Sequence, residues 1–332
     1  MKPIARKIVK VLGAFLLLVV AAALSGFAYV QATWDRDFSA VPMPAIVASR
    51  DSGTVARGEY LVRTVAHCAE CHALASDPAA GIDGPLSGGF VFDIPVFGRY
   101  VAANITSDSA TGIGALSDGQ IARVIRSAID RRGRFAPFMS FAVGEMSDED
   151  LTAVVSYLRT QPAVPKVNAT DEWGLAAKAL SGMFEPRLTS PPAHVAAGGV
   201  SVERGRYLAM GPAACSTCHS PIDPLTFAPD GPPLSGSTQA EPDGAEPGFE
   251  FVIPNLTPDS ATGHIASWSE DQFVARFRQG RVYKGSKMPW EAFRRLEDDD
   301  ARSIYRYLRT LPPAHHEIGP QHRKVGATAG VK

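Results

Sequence analysis

The chain has 332 residues, of which 45% are hydrophobic and 20% are charged. This is the composition of a globular protein, and the length allows two ordinary domains. The formal net charge is −1 at pH 7, and no Lys/Arg cluster occurs outside the extreme N-terminus. Because nucleic-acid-binding surfaces are strongly basic, the composition argues against nucleic acid as a partner.

The N-terminus predicts a membrane segment. Residues 11–30 are almost uninterruptedly apolar, and four basic residues precede them: Lys2, Arg6, Lys7 and Lys10. A helix of about 20 residues crosses a ~30 Å hydrocarbon core, and the basic flank stays in the cytoplasm. We therefore predict that residues 1–34 anchor the chain in the inner membrane by a single pass, with everything after Thr33 in the periplasm.

A cleaved signal peptide is the alternative interpretation of this segment. Residues 23–25 (Ala-Leu-Ser) resemble a small-residue cleavage site. The apolar region of a signal peptide is usually only about 7 to 15 residues long, however, which is shorter than the run here. Either interpretation places the rest of the chain outside the cytoplasm, beginning with a linker at residues 35–52.

The four cysteines fall into two copies of one short motif. Residues 68–72 read Cys-Ala-Glu-Cys-His, and residues 215–219 read Cys-Ser-Thr-Cys-His. C-x-x-C-H is the attachment sequence of c-type haem. A single copy would also fit a thioredoxin-like redox pair or half of a zinc site. Two copies in matching surroundings, with no α/β pattern around them, favour two covalently bound haem c groups.

The two halves of the chain repeat each other, and near the cysteine motifs the interval is 147 residues, from 68 to 215. A period this long indicates two tandem domains. The segments that match are residues 58–61 and 205–208, 83–85 and 230–232, 104–106 and 255–257, 109–112 and 260–263, and 157–160 and 307–310. The acidic stretch 241–250 has no equivalent in the first half, and it is either a solvated loop or a docking surface.

Helical signals recur in both halves. Apolar residues at helical spacing predict an amphipathic helix at the end of each half, and capping pairs predict helix starts at Ser117, Ser147 and Ser269. Gly58 and Gly205 are expected to let helices cross closely. Alternating strand patterns are scarce. The sequence thus predicts an all-α fold with long loops, with domains at 53–162 and 201–313, a connection at 163–200 and a tail at 314–332.

The motifs and the repeat also predict iron ligands. His72 and His219 directly follow the second cysteine of each motif and are the expected proximal ligands. Met139 and Met288 lie 71 and 73 residues after the first cysteines, and a soft thioether suits the sixth position. Most methionines are core residues, as Met146 is expected to be. The predicted haem-binding residues are Cys68, Cys71, His72, Met139, Cys215, Cys218, His219 and Met288.

Other residues received weaker assignments. The carbonyls of Pro85 and Pro232 could accept the Nδ1 proton of the proximal histidines, with turn-forming proline as an equally good alternative. The remaining histidines have no histidine partner in the repeat and are not predicted to bind iron: His67, His194, His264, His315, His316 and His322.

On the basis of these residues, the segment 53–313 resembles the membrane-bound dihaem or multihaem cytochrome c subunits of bacterial periplasmic dehydrogenases. Residues 104–114 and 255–263, each followed by a methionine and by Leu-Arg-Thr, look like that family's module. The quinoprotein alcohol dehydrogenase subunit is one example, and molybdenum dehydrogenases use similar modules. The resemblance implies two tandem class I cytochrome c domains. Two motifs replace the three of the alcohol dehydrogenase subunit, and Ser140 stands where the family often has proline.

The resemblance implies an electron-transfer protein without a catalytic reaction of its own. A periplasmic dehydrogenase would be the electron donor, and a quinone, a soluble cytochrome or a terminal oxidase the acceptor. The main alternative is a dihaem enzyme, such as a peroxidase or a thiosulfate-oxidising cytochrome, which needs an open iron position. A haem-based sensor or assembly factor would need an output domain that the sequence lacks.

Overall fold

The computed structural model describes residues 3–75, 79–142, 145–183, 185–188, 198–223 and 228–326. Helix α1 (Pro3–Thr33) is 31 residues long. Its segment Lys7–Thr33 is long and apolar enough to cross a membrane, and the apolar part of this segment is not buried against the rest of the chain. A membrane anchor and a signal sequence share these properties, so the structure establishes one N-terminal apolar helix.

Two units follow, and each element of the second has a counterpart in the first, which also contains a π-helical turn and one further short helix. The first unit (52–183) contains α2 (Ser52–Tyr60), a π-helical turn (Leu61–Val65), α3 (Cys68–His72), β1 (Val91–Ile94), β2 (Gly98–Val101), α4 (Asp118–Ser127), α5 (Pro137–Ala142), α6 (Asp148–Thr160), β3 (Glu172–Trp173) and α7 (Leu175–Leu180). The second unit (201–326) contains α8 (Val202–Met210), α9 (Cys215–His219), β4 (Ser237–Pro242), β5 (Phe249–Ile253), α10 (Glu270–Arg278), α11 (Trp290–Phe293), α12 (Asp298–Thr310) and β6 (His322–Lys324).

The predicted helix starts are confirmed. The side chains of Ser117 and Ser269 form complete capping boxes at the starts of α4 and α10. The Ser147 hydroxyl accepts a hydrogen bond from the backbone N–H of Asp150 at the start of α6. These caps satisfy backbone N–H groups that have no partner within the first helical turn.

The close crossing of helices at Gly58 and Gly205 is also confirmed. Gly58 on α2 lies against the backbone carbonyl of Ala153 on α6, and Gly205 on α8 lies against the carbonyl of Ser303 on α12. A side chain at either glycine would overlap backbone atoms of the other helix. Since each cysteine motif begins a few residues after α2 or α8, this crossing sets where the motif begins relative to α6 or α12.

The all-α prediction is wrong. Helices account for 42% of the residues, and two small antiparallel sheets are present. One has the strand order β1-β2-β3 and the other β4-β5-β6. The hairpin strands are only four to six residues long, which is too short for a clear alternating pattern. The third strand of each sheet follows the C-terminal helix of its unit, so its pairing partner lies far away in sequence.

Parts of the predicted connection and of the predicted tail are strands of these sheets. Strand β3 lies in the predicted connection 163–200 and pairs with β2, with Gly98 opposite Trp173. Strand β6 lies in the predicted tail 314–332 and pairs with β5, with Phe251 opposite His322. Residues 189–197 of the connection, with His194, and residues 327–332 of the tail lie outside the described residues. Each unit is thus closed by the segment that follows its last long helix.

The units contact each other through a tyrosine of the first unit. The Tyr60 hydroxyl donates a hydrogen bond to Asp300 Oδ2 at 2.9 Å and accepts one from the backbone N–H of Glu297 at 2.9 Å. Asp300 is fully buried and also forms an ion pair with Arg204 of its own unit. The acidic residues at the start of α12 therefore also contact the other unit.

The second unit contributes the equivalent tyrosine. The Tyr207 hydroxyl donates to Asp150 Oδ2 at 2.8 Å and accepts from the backbone N–H of Ser147 at 3.0 Å. Asp150 is buried and accepts two hydrogen bonds from the Arg57 guanidinium, at 2.9 and 3.0 Å. The contacts are reciprocal, as they would be across a two-fold axis, and they join the two hydrophobic interiors into one cluster.

Replacing Gly205 by alanine tests the crossing of α8 and α12. The new methyl group would overlap the Ser303 carbonyl, and backbone cannot move aside as a side chain can. We expect the free energy of unfolding to fall by roughly 1–3 kcal/mol, the usual cost of overpacking. Chemical denaturation measures the change. Gly182→Ala is the control, because nothing lies within 4 Å of its added carbon; equal losses in both variants would contradict the crossing.

Replacing Tyr207 by phenylalanine tests the contact between the units. The variant keeps the ring and removes the hydrogen bond to a charged acceptor, so we expect a loss of roughly 1.5–3 kcal/mol in the free energy of unfolding. Tyr283→Phe serves as the control, since Tyr283 is 43% exposed and exposed substitutions usually stay within about 0.5 kcal/mol. A Tyr207→Phe protein as stable as this control would show that the contact contributes nothing.

Candidate haem sites

Each cysteine motif forms one short helix, α3 or α9. Cys68 and Cys71 are three residues apart on α3 and therefore share a face, with His72 one position further along. Cys215, Cys218 and His219 have the same arrangement on α9. The residue before each helix adopts a left-handed backbone conformation, with φ of 39° at His67 and 51° at Ala214.

The four thiols are unpaired with one another. Burial raises the pKa of Cys68 and of Cys215 to about 12 and that of Cys71 to about 11. Redox-active cysteine pairs have lowered pKa values that produce a thiolate at neutral pH. The raised values argue against the thioredoxin-like interpretation of the two motifs.

Both motif histidines are oriented by a backbone carbonyl. His72 Nδ1 lies 2.7 Å from the carbonyl oxygen of Ala103, and His219 Nδ1 lies 2.9 Å from that of Pro254. A carbonyl only accepts, so we assign the proton to Nδ1 and the free lone pair to Nε2. Metal-binding histidines commonly have this arrangement, in which one ring N–H is held by an acceptor and the other nitrogen binds the metal.

The prediction that Pro85 and Pro232 could supply these carbonyls is corrected. The acceptors belong to Ala103 and Pro254, which lie on the loop after the hairpin of each unit. The Pro232 carbonyl instead accepts the Ser235 hydroxyl at 2.8 Å, which fits the turn interpretation of that proline.

Burial also fixes the charge of the two imidazoles. It lowers the pKa of His72, although the hydrogen bond to Ala103 opposes the shift. Burial lowers the pKa of His219 to about 4. Both rings are therefore neutral at physiological pH, which is the form that binds metal ions. The neutral imidazoles and the adjacent thiols fit a covalently attached haem in each unit.

A buried asparagine holds the acceptor loop of the first unit. Asn104 directly follows Ala103, and its Oδ1 accepts from the backbone N–H and the hydroxyl of Thr106, at 3.0 and 2.7 Å. Its Nδ2 donates to the carbonyl of Val164 at 2.8 Å and to the Thr111 hydroxyl at 3.0 Å. The side chain thus ties the loop to the segment that follows α6.

Asn255 does the same in the second unit, directly after Pro254. It accepts from the N–H and hydroxyl of Thr257 at 2.9 and 2.8 Å, and donates to the Ala314 carbonyl and the Thr262 hydroxyl at 2.8 and 3.1 Å. The sequence showed this Asn-x-Thr segment only as part of the repeat. The asparagine of this segment positions the carbonyl that orients the histidine. The recurrence of the segment in both halves was the only indication of this role in the sequence.

The predicted distal methionines are half-buried. Met139 lies on α5, and Met288 lies two residues before α11. Both pack against the hydrophobic cluster that Cys68 and Cys215 also contact. Met146, by contrast, is only 1% exposed, which confirms that it is a core residue.

The first cysteine motif touches the second unit. The Glu70 carboxylate, between the two cysteines, accepts a hydrogen bond from the backbone N–H of Ala292 at 3.3 Å. The ring of His67 stacks on Phe293 with centroids 5.4 Å apart. Ala292 and Phe293 lie on α11, just after Met288. Sequence reasoning assigned no role to His67 or Glu70, because their partners lie more than 200 residues away.

Comparison with known proteins agrees with this chemistry. Residues 55–162 match the cytochrome c family. The first unit contains a cytochrome c domain. The match covers only one of the two regions predicted to be cytochrome c domains, and the second unit is related to it here through the repeated sequence and contacts.

The chain is similar to several curated proteins. The cytochrome c subunit of a quinone alcohol dehydrogenase from Gluconobacter oxydans is 33% identical over 40% of this chain and 29% of the relative. A dihaem cytochrome c-type protein from Cereibacter sphaeroides is 28% identical over 79% of this chain and 87% of the relative. A nicotinate dehydrogenase subunit from Pseudomonas putida is 28% identical over 84% of this chain and 23% of the relative.

The coverage differs among these relatives. The chain spans less than a third of the length of the two dehydrogenase subunits and most of the length of the dihaem protein. Other similar proteins are the cytochrome subunits of a fructose dehydrogenase from Gluconobacter japonicus and a gluconate 2-dehydrogenase from Pantoea cypripedii. The similar proteins named as subunits are thus predominantly electron-transfer subunits of dehydrogenases.

Replacing Asn255 by alanine tests the acceptor loop. The change leaves buried donors and acceptors without partners, so we expect the free energy of unfolding to fall by roughly 1–3 kcal/mol, measured by denaturant titration. Gln272→Ala is the control, because its side-chain oxygen accepts from the backbone N–H of Ser269 at 2.8 Å in the α10 cap and not from the acceptor loop. In a chain with haem in the second unit, we expect Asn255→Ala alone to change the haem absorption spectrum as well; identical spectra would contradict the assigned function.

Proposed function

We propose that the chain is a dihaem cytochrome c that transfers electrons between a periplasmic dehydrogenase and the membrane respiratory chain. The single observation that carries this proposal is the duplicated histidine geometry. In each unit a neutral imidazole beside two free thiols donates from Nδ1 to a loop carbonyl that a buried asparagine holds. The second unit repeats each of these contacts, which supports a second haem there.

In this proposal the residues divide the work as the sequence analysis predicted. Cys68 and Cys71 bind the first haem covalently, and Cys215 and Cys218 bind the second. When bound, haem c supplies an iron that changes between the ferric and ferrous states. His72 and His219 are the proximal ligands, and the loop carbonyls increase their donor strength as such acceptors do.

Met139 and Met288 are proposed as the distal ligands. Both are half-buried side chains on the hydrophobic cluster that contacts the motif cysteines. With an imidazole and a thioether on each iron, no position is open for a substrate, and the chain transfers electrons without transforming a reactant. This is the difference from the alternative, a dihaem enzyme such as a peroxidase or a thiosulfate-oxidising cytochrome.

The partners follow from the relatives and from α1. The similar proteins include cytochrome subunits of alcohol, fructose and gluconate dehydrogenases, so a periplasmic dehydrogenase is the proposed donor. Quinone, a soluble cytochrome or a terminal oxidase is the proposed acceptor. We propose that α1 stays attached and holds both units at the periplasmic face of the inner membrane, which raises the effective concentration of the membrane partners.

The contact between the units suits electron transfer from one site to the other. Glu70 and His67 of the first motif touch α11, which immediately follows the proposed distal ligand of the second site. The reciprocal tyrosines hold this arrangement in one relative orientation. Electrons would thus pass through a short stretch of packed protein rather than through solvent.

Haem quantification tests the proposal. The full-length chain purified in detergent should contain two covalently bound haems per chain, and the double variant Cys215→Ser with Cys218→Ser should retain one. The haem content follows from alkaline pyridine spectra and from the intact mass. A wild-type protein with one haem would contradict the dihaem proposal while leaving the first cytochrome c domain unaffected.

Carbon monoxide binding tests the distal ligands. Met288→Ala should open one ferrous iron to carbon monoxide, because the thioether no longer occupies the sixth position, while the wild type should bind almost none. Met183→Ala is the control, since Met183 is 48% exposed. Rapid carbon monoxide binding by the wild-type protein would favour the enzyme alternative.

A further inference from the structure

A second cluster of metal-binding side chains lies away from both cysteine motifs. Asp243 and Glu246 lie in the loop of the β4–β5 hairpin, within the acidic stretch that the first half lacks, and His322 begins β6. One ligand atom from each lies within 4.8 Å of the others. His322 Nε2 is 3.0 Å from Asp243 Oδ2 and 4.0 Å from Glu246 Oε2.

The hairpin fixes the Asp243 carboxylate. Its side chain is only 3% exposed, and its Oδ1 accepts from the backbone N–H groups of Ala245 and Glu246, at 2.7 and 3.1 Å. These bonds occupy one oxygen and leave Oδ2 toward His322. The carboxylate is therefore held in one orientation before any ligand arrives.

Three aromatic rings fix the His322 imidazole. The rings of Phe249, Phe251 and Tyr283 have centroids 4.9, 4.7 and 4.8 Å from that of His322. The side chain of His322 is 11% exposed. This packing removes the rotational freedom of the imidazole and keeps Nε2 directed at the two carboxylates.

Among the residues that the structure describes, no lysine or arginine forms an ion pair with the two carboxylates of the cluster. Glu241, in the same hairpin, pairs with Lys287 at 2.9 Å, and Glu250 pairs with Arg323 at 2.7 Å. Within the described part of the chain, Asp243 and Glu246 form ion pairs only with His322. Two carboxylates and one imidazole thus converge without a lysine or arginine, which leaves negative charge that a divalent cation would neutralise.

We propose that Asp243, Glu246 and His322 bind one divalent transition-metal ion of the zinc class. An imidazole with two carboxylates suits zinc better than the all-oxygen sites of calcium or magnesium. Zinc binds nitrogen and oxygen at about 2.0–2.2 Å in tetrahedral geometry, which places ligand atoms roughly 3.3 Å apart. The observed separations bracket this value, and a water molecule would complete four-fold coordination.

A metal ion bound to Asp243, Glu246 and His322 would stabilise the structure of the second unit. It joins the β4–β5 hairpin to β6, and the Asp243 carboxylate also lies directly against Gly285, three residues before Met288. A metal ion would thus stiffen the segment that precedes the proposed distal ligand. The proposal does not depend on haem in the second unit, because none of its three ligands belongs to a haem site.

Zinc binding by the untagged, full-length, haem-loaded protein tests the proposal. The chain is dialysed against zinc chloride, zinc is counted by elemental analysis separately from iron, and affinity is measured by calorimetry. Glu246→Gln is the main variant, since Glu246 is 57% exposed and the change should not disturb folding. His322→Gln is the second. His315→Gln is the matched control, because His315 lies 3.6 Å from Asp259 in the same unit without a third ligand.

We expect one zinc ion per wild-type chain and per His315→Gln chain, with a higher thermal midpoint when zinc is present. Glu246→Gln and His322→Gln should weaken zinc binding at least about tenfold, by analogy with the loss seen when residues that support metal ligands are removed. A wild type that binds no zinc would leave Asp243 and His322 as a hydrogen-bonded pair only. That result, or unchanged binding in both variants, would overturn the proposal.

Discussion

The hydrogen bond from the Nδ1–H of each motif histidine to a loop carbonyl is the interaction on which the rest of the structure depends. It selects the tautomer with a free Nε2, and it requires the carbonyl to stay in place. The buried side chains of Asn104 and Asn255 meet this requirement by binding both their own loop and the segment after the C-terminal helix. The loops that carry the Ala103 and Pro254 carbonyls are therefore held in place by buried amide side chains.

The contact between the units also relies on buried polar side chains that bind several partners at once. An arginine and an aspartate of one unit pair within that unit, and the aspartate also receives a tyrosine from the other unit. An isolated buried carboxylate would be destabilising, but these carboxylates have charged and neutral donors at once. The duplication of the sequence thus produced an interface in which Tyr60 and Tyr207 perform equivalent functions, and the chain holds its two cysteine motifs in a defined relation.

Local patterns predicted the long helices, the caps, the glycine crossings and the cysteine motifs. Each of these features depends on residues that lie close together in sequence or that recur at the interval of the repeat. The strands were missed for the opposite reason. Strands β3 and β6 are two and three residues long and pair with hairpins about 70 residues earlier. The sequence offered the carbonyls of Pro85 and Pro232 as possible acceptors for the histidines, with a turn as an equally good alternative, whereas the fold supplies those of Ala103 and Pro254 from a later loop.

The sequence by itself determined the chemical groups of this protein: two C-x-x-C-H motifs, an N-terminal apolar segment and an internal repeat with one methionine at a matching position in each half. These features follow from residue type and spacing, which folding does not alter. Only the tertiary structure decided which carbonyl orients each histidine, how the units face each other, and that Asp243, Glu246 and His322 converge. Such contacts join residues from 31 to more than 200 positions apart, and pairs this far apart leave no periodic pattern in the sequence.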